Sequence, residues 1–457
     1  MFDIIVAVSK NGIIGNNNSL PWNYMEDIKY FKNITTSNKG KDIIIMGSNT
    51  WSSINKILPR RINIVLTRTA NNEFELKNEN LYYSNNFNKL LNKLKNEYPE
   101  HNIYVIGGSI VYNMAIEHPE CDKVYYTKIM KKVEGDCYFP KLVNDFDLIN
   151  IKKGINKELE FRVYKKVKRE HPEYQYINHL KTILNLTDIY EDRTGVGIKS
   201  TFGIHMTYDI SKHIPLLTTK KVFSRIIIEE LLWFLRGETD NKSLQKKNVH
   251  IWDGNTSREF LDSLGHTDRE EGDGGPIYGF NFRHFGAKYV DCHTDYTGKG
   301  YDQVTEVLRL IREEPNSRRI LINLWNPCVL KEGVLPPCHM LYQFRVYGDK
   351  LCCSMYQRSG DMGLGVPFNI ASATIMTYIF AHLTGKKPWK LVHTIGDAHI
   401  YTNHEEALQK QIKRQPMSFP LLRVKDRQQK CVEDFNIKDF IIEGYDSHGV
   451  LKMDMAV

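Results

Sequence analysis

A cysteine and an arginine in the second half of the chain have the residue types that nucleophilic catalysis needs. Cys338 follows two prolines in "VLPPCHM", where the chain is stiff, and Arg358 lies on a strand that a predicted hairpin at "YGDK" returns toward it. An arginine close to a thiol favours the thiolate, which is the reactive form of cysteine. A buried, unreactive thiol is the alternative for any single cysteine. The pair is therefore a candidate nucleophile with its activating group.

Three further arginines could bind a phosphate near this pair. Arg193 lies in the glycine-rich stretch "EDRTGVG", and Arg318 and Arg319 begin a strand in "PNSRRILI". A guanidinium fits the geometry of a phosphate monoester, whereas a solvated pair is the alternative for the two adjacent arginines. These positions indicate a phosphorylated substrate.

Two polar residues in apolar segments could read a base and move a proton. The amide of Asn369, in "PFNIAS", offers a donor and an acceptor, the pattern that matches the carbonyl and adjacent N–H of uracil. Glu230 lies in the apolar helix "IIIEELLWFL", where burial would raise its pKa and suit proton transfer near pH 7.

The first half carries a different set of candidates. Asp27 lies one turn into a predicted helix with Phe31 on the same face, so it could hold a cationic or amidine-like ring; a surface acid that complements the helix dipole is the alternative. Gly107 and Gly108 join a strand to a helix start, where backbone N–H groups suit a phosphate, unless they form only a tight turn. Arg68 ends the strand "INIVLTR" and could reach a second phosphate.

The elements that must position these residues differ between the two halves. Up to Lys168, short apolar runs such as "IIVAV", "DIIIMG" and "FRVYKKV" alternate with helical patterns, which predicts an α/β fold with a mixed, largely parallel sheet and flanking helices. The Asn/Lys-rich stretch 71–96 is expected to form an exposed loop and a surface helix. Beyond Glu173, longer helices and period-two strands predict an α+β fold with one antiparallel sheet packed against helices.

The length of 457 residues predicts two or three domains, and the charged joint "KKVKREHPEYQY" lies where the pattern changes. We predict a first domain over residues 1–168, a short linker over 169–173 stiffened by Pro172, and a second domain over 174–457. The net charge of +8, from 62 Lys+Arg against 54 Asp+Glu, is spread along the chain and fits a solvated basic surface that attracts anions.

Cysteine usage and hydropathy exclude several classes of protein. The eight cysteines include no C-x-x-C pair and no Cys/His cluster with zinc spacing, so we expect no metal site. The start "MFDIIVAVSKNG" reads as a first strand and not as a signal peptide, and no run of 18 apolar residues occurs. We therefore expect a cytoplasmic protein with reduced thiols and no membrane contact.

Residues 1 to about 166 resemble dihydrofolate reductase, through "LPW", "MGSNTW", "RRINIVLTR", "VIGGSIVY" and "EGDCYFP" in this order. The resemblance implies NADPH-dependent reduction of dihydrofolate. Asp27 would be catalytic, binding the amidine edge of the pterin with support from Thr127 through water. Arg61 would pair with the glutamate α-carboxylate of the substrate.

The same resemblance implies two sets of binding residues. The folate pocket would comprise Leu20, Trp22, Asp27, Phe31, Ile54, Arg61 and Thr127. The NADPH site would comprise Ala7, Gly15, Gly47, Thr50, Arg68, Ile106, Gly107, Gly108 and Tyr112.

Residues 173 to 457 resemble thymidylate synthase, through "DRTGVG", "EELLWFLRGETD", "IWDGN", "GPIYGFNFRHFGA", "LPPCHM", "QRSGDMGLGVPFNIAS", "GDAHIYTNH" and "KMDMAV". The resemblance implies that Cys338 adds to the pyrimidine ring of dUMP and that 5,10-methylenetetrahydrofolate supplies the carbon and hydride, giving dTMP and dihydrofolate. Glu230 and Tyr278 would manage protons, and His339 would line the site.

Binding residues follow from this second resemblance as well. The dUMP site would comprise Arg193, Arg318, Arg319, Arg358, Ser359, Asp361, Asn369, His399 and Tyr401. The folate site of this half would comprise Trp252, Asp361 and Gly365. Arg318 and Arg319 would reach the phosphate from a partner subunit, so the resemblance implies a homodimer formed through the second domain.

The chain departs from the family patterns at a few positions. Ser48 and Asn49 stand where the reductase usually has a basic residue that helps to bind the 2′-phosphate of NADPH, so Arg68 would carry more of that task. In the synthase half, Ala373 replaces a frequent Tyr, Phe282 replaces a Trp, and "GYDSHG" replaces a "GYxPHP" pattern. These departures concern NADPH preference, folate affinity and loop closure.

The sequence thus predicts a member of the bifunctional dihydrofolate reductase–thymidylate synthase family. One alternative is a working synthase fused to an inactive reductase. Another is an RNA-binding regulator, although interleaved aromatic and basic residues on strands are missing. We also hypothesise that Lys165, Lys166, Lys168 and Arg169 contribute to a basic surface along which anionic dihydrofolate passes.

Overall fold

The computed structural model describes residues 1–37, 42–70, 74–142, 146–167 and 170–455. Contacts between residues divide the chain into two compact units, Met1–Glu170 and His171–Val457. Each unit has its own sheet and is described by itself.

The first unit consists of strands with four flanking helices in its described residues. The helices are α1 (Met25–Thr35), α2 (Ser48–Ile54), α3 (Phe87–Glu97) and α4 (Ser109–Glu117). The strands are β1 (Phe2–Ser9), β2 (Ile13–Gly15), β3 (Asp42–Gly47), β4 (Ile62–Leu66), β5 (Glu75–Asn78), β6 (Leu81–Ser84), β7 (Asn102–Gly107), β8 (Cys121–Ile129), β9 (Cys137–Tyr138), β10 (Phe146–Lys153) and β11 (Leu159–Lys166).

One large sheet dominates this unit. Among the described residues its strand order is β10-β11-β8-β1-β7-β3-β4-β6-β5. The pairs from β8 through β1, β7, β3 and β4 to β6 are parallel, and the outer pairs are antiparallel. Central strands such as β3 are buried along almost their whole length because helices cover both faces of a parallel sheet. The predicted α/β class with a mixed, largely parallel sheet is confirmed.

The polar stretch 71–96 differs from the sequence expectation. Residues 71–73 lie outside the described part of the chain, but β5 and β6 form an antiparallel pair at the edge of the sheet. The strand "ELKN" is mostly exposed, so it lacks the apolar alternation that marks a half-buried strand. The surface helix is present as α3, with Phe87, Leu90, Leu91 and Leu94 on its buried face.

The second unit combines helices with one main sheet. Its helices are α5 (Tyr174–Leu184), α6 (Ser224–Leu235), α7 (Asn241–Gln245), α8 (Arg258–Ser263), α9 (Tyr278–Arg283), α10 (Gln303–Glu313), α11 (Gly365–Leu383) and α12 (Glu405–Gln411). Short 3-10 turns occur at Gly254–Thr256, Thr402–His404, Val432–Asp434 and Ile437–Asp439. Its strands are β12 (Ile198–Asp209), β13 (Leu321–Asn323), β14 (His339–Tyr347), β15 (Lys350–Asp361), β16 (Lys387–Tyr401), β17 (Leu421–Val424) and β18 (Phe440–Glu443).

The main sheet has the order β12-β16-β15-β14-β13 in the described residues. The predicted hairpin is present, with β14 and β15 joined at Gly348 and Asp349. The α+β class is confirmed, but the sheet is not purely antiparallel, because β15 and β16 pair in parallel. A parallel pair needs a crossover, and α11 supplies it between these two strands.

Helix α11 lies in the core of the second unit. It is long and apolar enough to cross a membrane by length and composition alone, yet 78% of its most apolar window is buried in the structure. A buried core helix passes the same test, so this helix is weak evidence for a membrane span.

The joint between the units is partly built into the second unit. The carboxylate of Glu173 is buried and accepts hydrogen bonds from the backbone and hydroxyl groups of Thr218 and Thr219, at 2.6 to 2.9 Å. His171 is also buried, and its ring lies 4.8 Å from that of Phe419. Residues 171–173, which the sequence assigns to the linker, therefore pack as part of the second unit.

The basic residues proposed as a path for dihydrofolate are only partly described. Lys168 and Arg169 lie outside the described residues. The ammonium group of Lys166 donates to the carbonyl oxygens of Ile116 and His118, at 2.6 and 3.3 Å, at the end of α4. That ammonium thus has a structural role within the first unit, and the transfer hypothesis stays a prediction.

Candidate functional sites

A cavity of about 800 Å³ in the first unit lies where β1, β3 and β7 meet the starts of α2 and α4. In open α/β sheets, ligands bind beyond the carboxyl ends of the parallel strands, which is where this cavity lies. All the residues predicted for the NADPH site line it: Ala7, Gly15, Gly47, Thr50, Arg68, Ile106, Gly107, Gly108 and Tyr112. The cavity is lined by more apolar than polar surface.

The turn at Gly107 and Gly108 leaves little room for side chains. Gly107 has a φ of +139°, which L-residues rarely adopt. A Cβ atom on either glycine would lie 3.1 Å from Oγ1 of Thr50. Tyr112 is held at the same place because its hydroxyl donates to the carbonyl oxygen of Ile5 at 2.8 Å. The backbone is therefore open to close approach by a ligand.

The cavity also contains polar residues that the sequence did not single out as binding residues. Its lining includes Ser53, Thr67, Asn85 and Ser109, besides the departures Ser48 and Asn49. Arg68 lines the same cavity, so its guanidinium lies among hydroxyl and amide groups. Ser53, Thr67, Asn85 and Ser109 could not be recognised as binding residues from the sequence, because small polar residues near loops are common in any protein.

Asp27 lies in the first turn of α1 and is largely removed from water. Burial raises the pKa of its carboxyl group above the usual range, and hydrogen bonding with the Thr127 side chain opposes that rise. Thr127 is buried on β8, and its expected support of Asp27 through water stays a prediction. A carboxylate with a raised pKa in a shielded position favours a ligand that brings a proton or a positive charge.

The other predicted folate residues of this unit surround α1 and the strand edge. Phe31 and Ile54 pack on one apolar cluster, and Trp22 packs on another that includes Phe161. Leu20 is 61% exposed and lines the cavity.

Arg61 is a buried guanidinium held by neutral partners. Its Nη1 donates to Oγ1 of Thr35 at 2.6 Å and its Nε to the carbonyl oxygen of Pro59 at 3.2 Å. The guanidinium carbon lies 5.8 Å from the ring centre of Phe31. Burial lowers its pKa, and Asp42 opposes that change. A buried guanidinium is well suited to an anionic ligand.

In the second unit, the hairpin brings Cys338 and Arg358 together. Nη2 of Arg358 lies 3.8 Å from the Cys338 sulfur. The same guanidinium donates to the carbonyl oxygens of Pro336 and Pro337 at 3.0 and 2.9 Å. The backbone N–H of Arg358 donates to the Cys338 carbonyl oxygen at 2.9 Å. The two prolines thus hold the arginine against the thiol.

Tyr278 and His339 form the wall next to the thiol. The hydroxyl oxygen of Tyr278, at the start of α9, accepts from the Cys338 N–H at 2.7 Å. Its ring stacks on His339 with centroids 4.3 Å apart. Burial lowers the pKa of His339 to about 3, so the imidazole is neutral at pH 7, with Nδ1 2.7 Å from the Tyr342 hydroxyl. The histidine therefore positions neighbours and carries no charge.

Glu230 lies on α6 and is half-buried. Burial raises its pKa to about 7, although the Trp252 indole N–H donates to its Oε1 at 2.8 Å and lowers the pKa in part. Its charge also acts on Tyr278 and Tyr342. Near pH 7 this carboxyl group can both give and take a proton.

The amide of Asn369 is oriented by a chain of hydrogen bonds. Nε2 of Gln357 donates to Oδ1 of Asn369 at 3.0 Å, and Oε1 of Gln357 accepts from Nε2 of His393 at 2.9 Å. Burial lowers the pKa of His393 to about 3, so its ring is a neutral donor. Gln357 and His393 were not identified from the sequence; Gln357 lies beside Arg358 in the motif "QRS", but His393 carries no local signal.

The remaining predicted residues lie around the same cleft. Arg193, Asp361 and Cys338 all act electrostatically on Tyr401, whose ring is 5.3 Å from that of His399. Nδ1 of His399 lies 2.9 Å from Oδ1 of Asp397. Ser359 belongs to β15, whereas Gly365 begins α11.

Asp361 links the cleft to the C-terminal segment. Its carboxylate accepts from the backbone N–H of Gly363 at 2.7 Å and lies 3.7 Å from Nδ1 of His404. Burial alone would raise its pKa, but the nearby His404 ring and the hydrogen bond from the Gly363 N–H lower the pKa overall. Nε2 of His404 donates to the carbonyl oxygen of Asp454 at 2.7 Å. His404, which connects Asp361 to the C-terminal segment, was not singled out from the sequence.

Arg318 and Arg319 lie apart from this arrangement. Both are exposed, and both line a separate surface recess with residues such as Glu306, Glu313 and Pro315. Within one chain they therefore face the solvent.

The departures in the synthase-like half are accommodated in the structure. Phe282 and Ala373 are buried. In "GYDSHG", the backbone N–H of His448 donates to the carbonyl oxygen of Thr218 at 2.8 Å, and its ring donates to the Gln415 carbonyl oxygen at the same distance. Polar contacts thus hold this loop in place of prolines.

Comparison with known proteins identifies both units. The family described as dihydrofolate reductase matches residues 1–168, and the family described as thymidylate synthase matches residues 174–457. The chain is 42% identical to the bifunctional dihydrofolate reductase-thymidylate synthase of Paramecium tetraurelia, over 100% of this chain and 99% of that protein. It is 40% identical to the protein of that name from Zea mays, covering 100% and 97%, and 41% identical to that from Leishmania major, covering 100% and 95%. The chain belongs to the bifunctional dihydrofolate reductase–thymidylate synthase family.

Proposed function

We propose how the residues of each domain divide the work of two consecutive reactions. The synthase domain methylates dUMP to dTMP with 5,10-methylenetetrahydrofolate, and the reductase domain reduces the dihydrofolate so formed with NADPH. The observation that carries the assignment of residues is the thiol of Cys338 facing the guanidinium of Arg358 at 3.8 Å.

Cys338 is the nucleophile of the synthase domain. Its sulfur adds to the pyrimidine ring at the carbon next to the one that receives the methyl group. The guanidinium of Arg358 lies against this sulfur, and its fixed position also lets it contact the phosphate together with Arg193 and Ser359.

Glu230 exchanges protons with the pyrimidine during these steps. With a pKa of about 7 it is partly neutral at physiological pH, so it can donate a proton to the ring carbonyl while the thiolate adds. Tyr278 carries its hydroxyl at the Cys338 backbone and can relay a proton on the same face. The neutral ring of His339 keeps Tyr278 in place.

Asn369 reads the base, while His399 and Tyr401 hold the ribose hydroxyl. The hydrogen bond from Gln357 occupies Oδ1 of Asn369, so the side-chain NH₂ group is directed away from Gln357 and can donate to a uracil carbonyl. Trp252, Asp361 and Gly365 are assigned to the folate of this domain.

The synthase domain acts as a homodimer in this proposal. One row of paired residues crosses the main sheet through Leu321, Gln343, Ser354, Val392 and Thr207, and each of them is at least partly exposed. The row beside it, which faces the core, is buried: Ile322, Tyr342, Met355, His393 and Met206.

A sheet face that its own chain leaves open is suited to packing against a second copy about a two-fold axis. The partner would then supply Arg318 and Arg319, which are exposed in one chain, to the phosphate site. This arrangement explains why a phosphate site rich in arginine is divided between two surfaces.

In the reductase domain, the cavity fits NADPH. The glycines at 107 and 108 leave room that a Cβ atom would fill, and Arg68 with Thr67 and Asn85 offers polar groups to a phosphate. When bound, NADPH supplies the hydride. Asp27 binds the amidine edge of the pterin and, because burial raises its pKa, favours protonation of the neighbouring ring nitrogen. Arg61 binds the substrate carboxylate.

The division of residues is tested with the purified full chain. We expect NADPH oxidation with added dihydrofolate, and dTMP formation from dUMP and methylenetetrahydrofolate. A folded chain that makes dTMP but oxidises no NADPH would leave the reductase domain as a structural module and contradict the proposal. We further propose a cytoplasmic location.

A further inference from the structure

Three side chains with metal-binding atoms meet on the synthase domain away from the residues discussed so far. Glu270 lies in the loop between α8 and α9, and Cys292 and His293 lie in the loop between α9 and α10. A carboxylate oxygen, the thiol sulfur and a ring nitrogen of these residues all lie within 4.8 Å of one another. These three residues are called the 270/292/293 cluster below.

The backbone of the cluster is held by buried and local hydrogen bonds. The Cys292 N–H donates to Oδ2 of Asp273 at 3.2 Å, and the other oxygen of Asp273 accepts from the Tyr289 hydroxyl at 2.5 Å. Asp273 is itself buried. Oδ1 of Asp291 accepts from the His293 N–H at 2.9 Å, which fixes the direction of the next residue. The two loops are thus joined before any ion binds.

The charges around the thiol favour a cation. Oδ2 of Asp273 accepts the Cys292 N–H at 3.2 Å, and a Glu270 carboxylate oxygen lies within 4.8 Å of the Cys292 sulfur. Lys242 pairs with Glu270, so its ammonium group already neutralises part of this negative charge. Nε2 of His293 lies 2.8 Å from Oε2 of Glu270, which places an imidazole nitrogen and a carboxylate oxygen side by side.

We propose that the 270/292/293 cluster binds a divalent transition-metal ion of the zinc class. The ligands are Sγ of Cys292, a ring nitrogen of His293 and a carboxylate oxygen of Glu270, with water as the fourth. Sulfur, nitrogen and oxygen in one site suit zinc or cobalt, whereas magnesium and calcium prefer oxygen alone. Glu270 and His293 have exposed side chains, so they can close from the observed spacing to coordination distance.

The ion would tie together the two loops on either side of α9. That helix begins with Tyr278, whose hydroxyl contacts the Cys338 backbone. Binding therefore stabilises the segment that supports the catalytic cysteine without adding a group to the reaction. The sequence expectation of no metal site rested on spacing along the chain, which does not detect residues 22 positions apart.

Cobalt(II) titration of the full chain tests the proposal, because a cobalt–thiolate bond gives a charge-transfer band in the near ultraviolet. We expect one band that zinc removes at one equivalent, and a loss of affinity of about tenfold or more in Cys292→Ser. Cys431→Ser, which changes an exposed cysteine outside the cluster, is the control and should bind like the wild type. Equal bands in Cys292→Ser and wild type would overturn the proposal.

His293→Gln retains every thiol and changes an exposed side chain, so it tests the site even if Cys292→Ser folds poorly. A similar loss of cobalt affinity is expected, and unchanged affinity would overturn the assignment.

Lys242→Gln removes the competing ammonium and should tighten binding by about three- to fivefold, whereas Lys246→Gln on the same stretch should not. Weaker binding in Lys242→Gln would contradict the role of Glu270.

Discussion

The residues expected to bind NADPH line one cavity inside the reductase domain, whereas those expected to bind the dUMP phosphate are divided between two surfaces of the synthase domain. The first set borders about 800 Å³ of space and belongs to one unit. In the second, Arg358 lies beside Cys338, but Arg318 and Arg319 face the solvent. The reductase site can therefore be complete in one chain, whereas the proposed synthase site takes its two remaining arginines from a second copy.

The two sites also differ in how their side chains are held. Around Cys338, hydrogen bonds and ring contacts fix Tyr278, Arg358 and Glu230 in advance. Around the reductase cavity, the strand ends and glycine turns provide backbone surface, and Leu20 at its edge is mostly exposed. A covalent reaction needs side chains in defined places before the substrate arrives, whereas hydride transfer depends on how two ligands are placed against each other.

Cys338→Ser gives the largest expected difference between the two domains. Synthase activity should fall by roughly 10⁴-fold or more, because a hydroxyl does not replace the thiolate as nucleophile. Reduction of added dihydrofolate should be unchanged. The two rates are measured as dTMP formation and NADPH oxidation in the same preparation. Loss of both would show that the domains do not function independently.

A mixed dimer tests whether the synthase site is shared. Arg318→Ala and Cys338→Ser chains should each be inactive as pure dimers. After unfolding and refolding together, half of the dimers are mixed and one of their two sites is intact, so about a quarter of wild-type dTMP activity should return.

Arg358→Ala is the matched control in this experiment. Arg358 contacts Cys338 of its own chain, so mixing Arg358→Ala with Cys338→Ser damages both sites of the mixed dimer. No recovery is expected. Failure of Arg318→Ala to recover, with dimers formed, would mean that the phosphate site is complete within one chain.

Glu230→Gln tests the proton transfer. Synthase activity should fall by about 10²- to 10³-fold. In the wild type, kcat/KM should decline as the pH rises through about 7, because burial raises the pKa of Glu230 to about 7 and the neutral carboxyl donor is lost above it. Glu229→Gln changes the neighbouring carboxylate, which pairs with Lys247, and should keep this profile. An unchanged decline in Glu230→Gln would assign it to another group.

How much of the sites could be predicted depends on how local their contacts are. The contact of Cys338 with Arg358 follows from a hairpin with a short turn, whose register is readable from the strand pattern. The hydrogen-bond chain from His393 through Gln357 to Asn369 could not be predicted. It depends on the parallel pairing of β15 with β16 across the whole of α11, which no short stretch of sequence specifies.

The fold was predictable where strands are buried and less so where they are not. Apolar runs such as β3 mark the centre of the reductase sheet. The edge pair β5 and β6 is polar because one of its strands is exposed along most of its length, so the pattern resembled a loop. The 270/292/293 cluster was missed for a related reason, since two loops around α9 bring its residues together.

Asp3→Asn gives the smallest expected effect and should change the stability of the reductase domain but not that of the synthase domain. Burial raises the pKa of Asp3 to about 6; Lys123 opposes this and Asp122 adds to it. Because the folded state holds the proton more tightly, Asp3 contributes stability below about pH 4 that is lost as the pH rises through about 6. The asparagine should therefore stabilise the reductase domain at pH 7 by about 1 to 2 kcal/mol, after allowance for partial exposure.

Hydrogen exchange of β1 and β8 measures this, with exposed Glu134→Gln as the control and the synthase strands as an internal reference. Equal protection of β1 in Asp3→Asn and wild type at pH 7 would show that the carboxylate is stabilised by Lys123 after all.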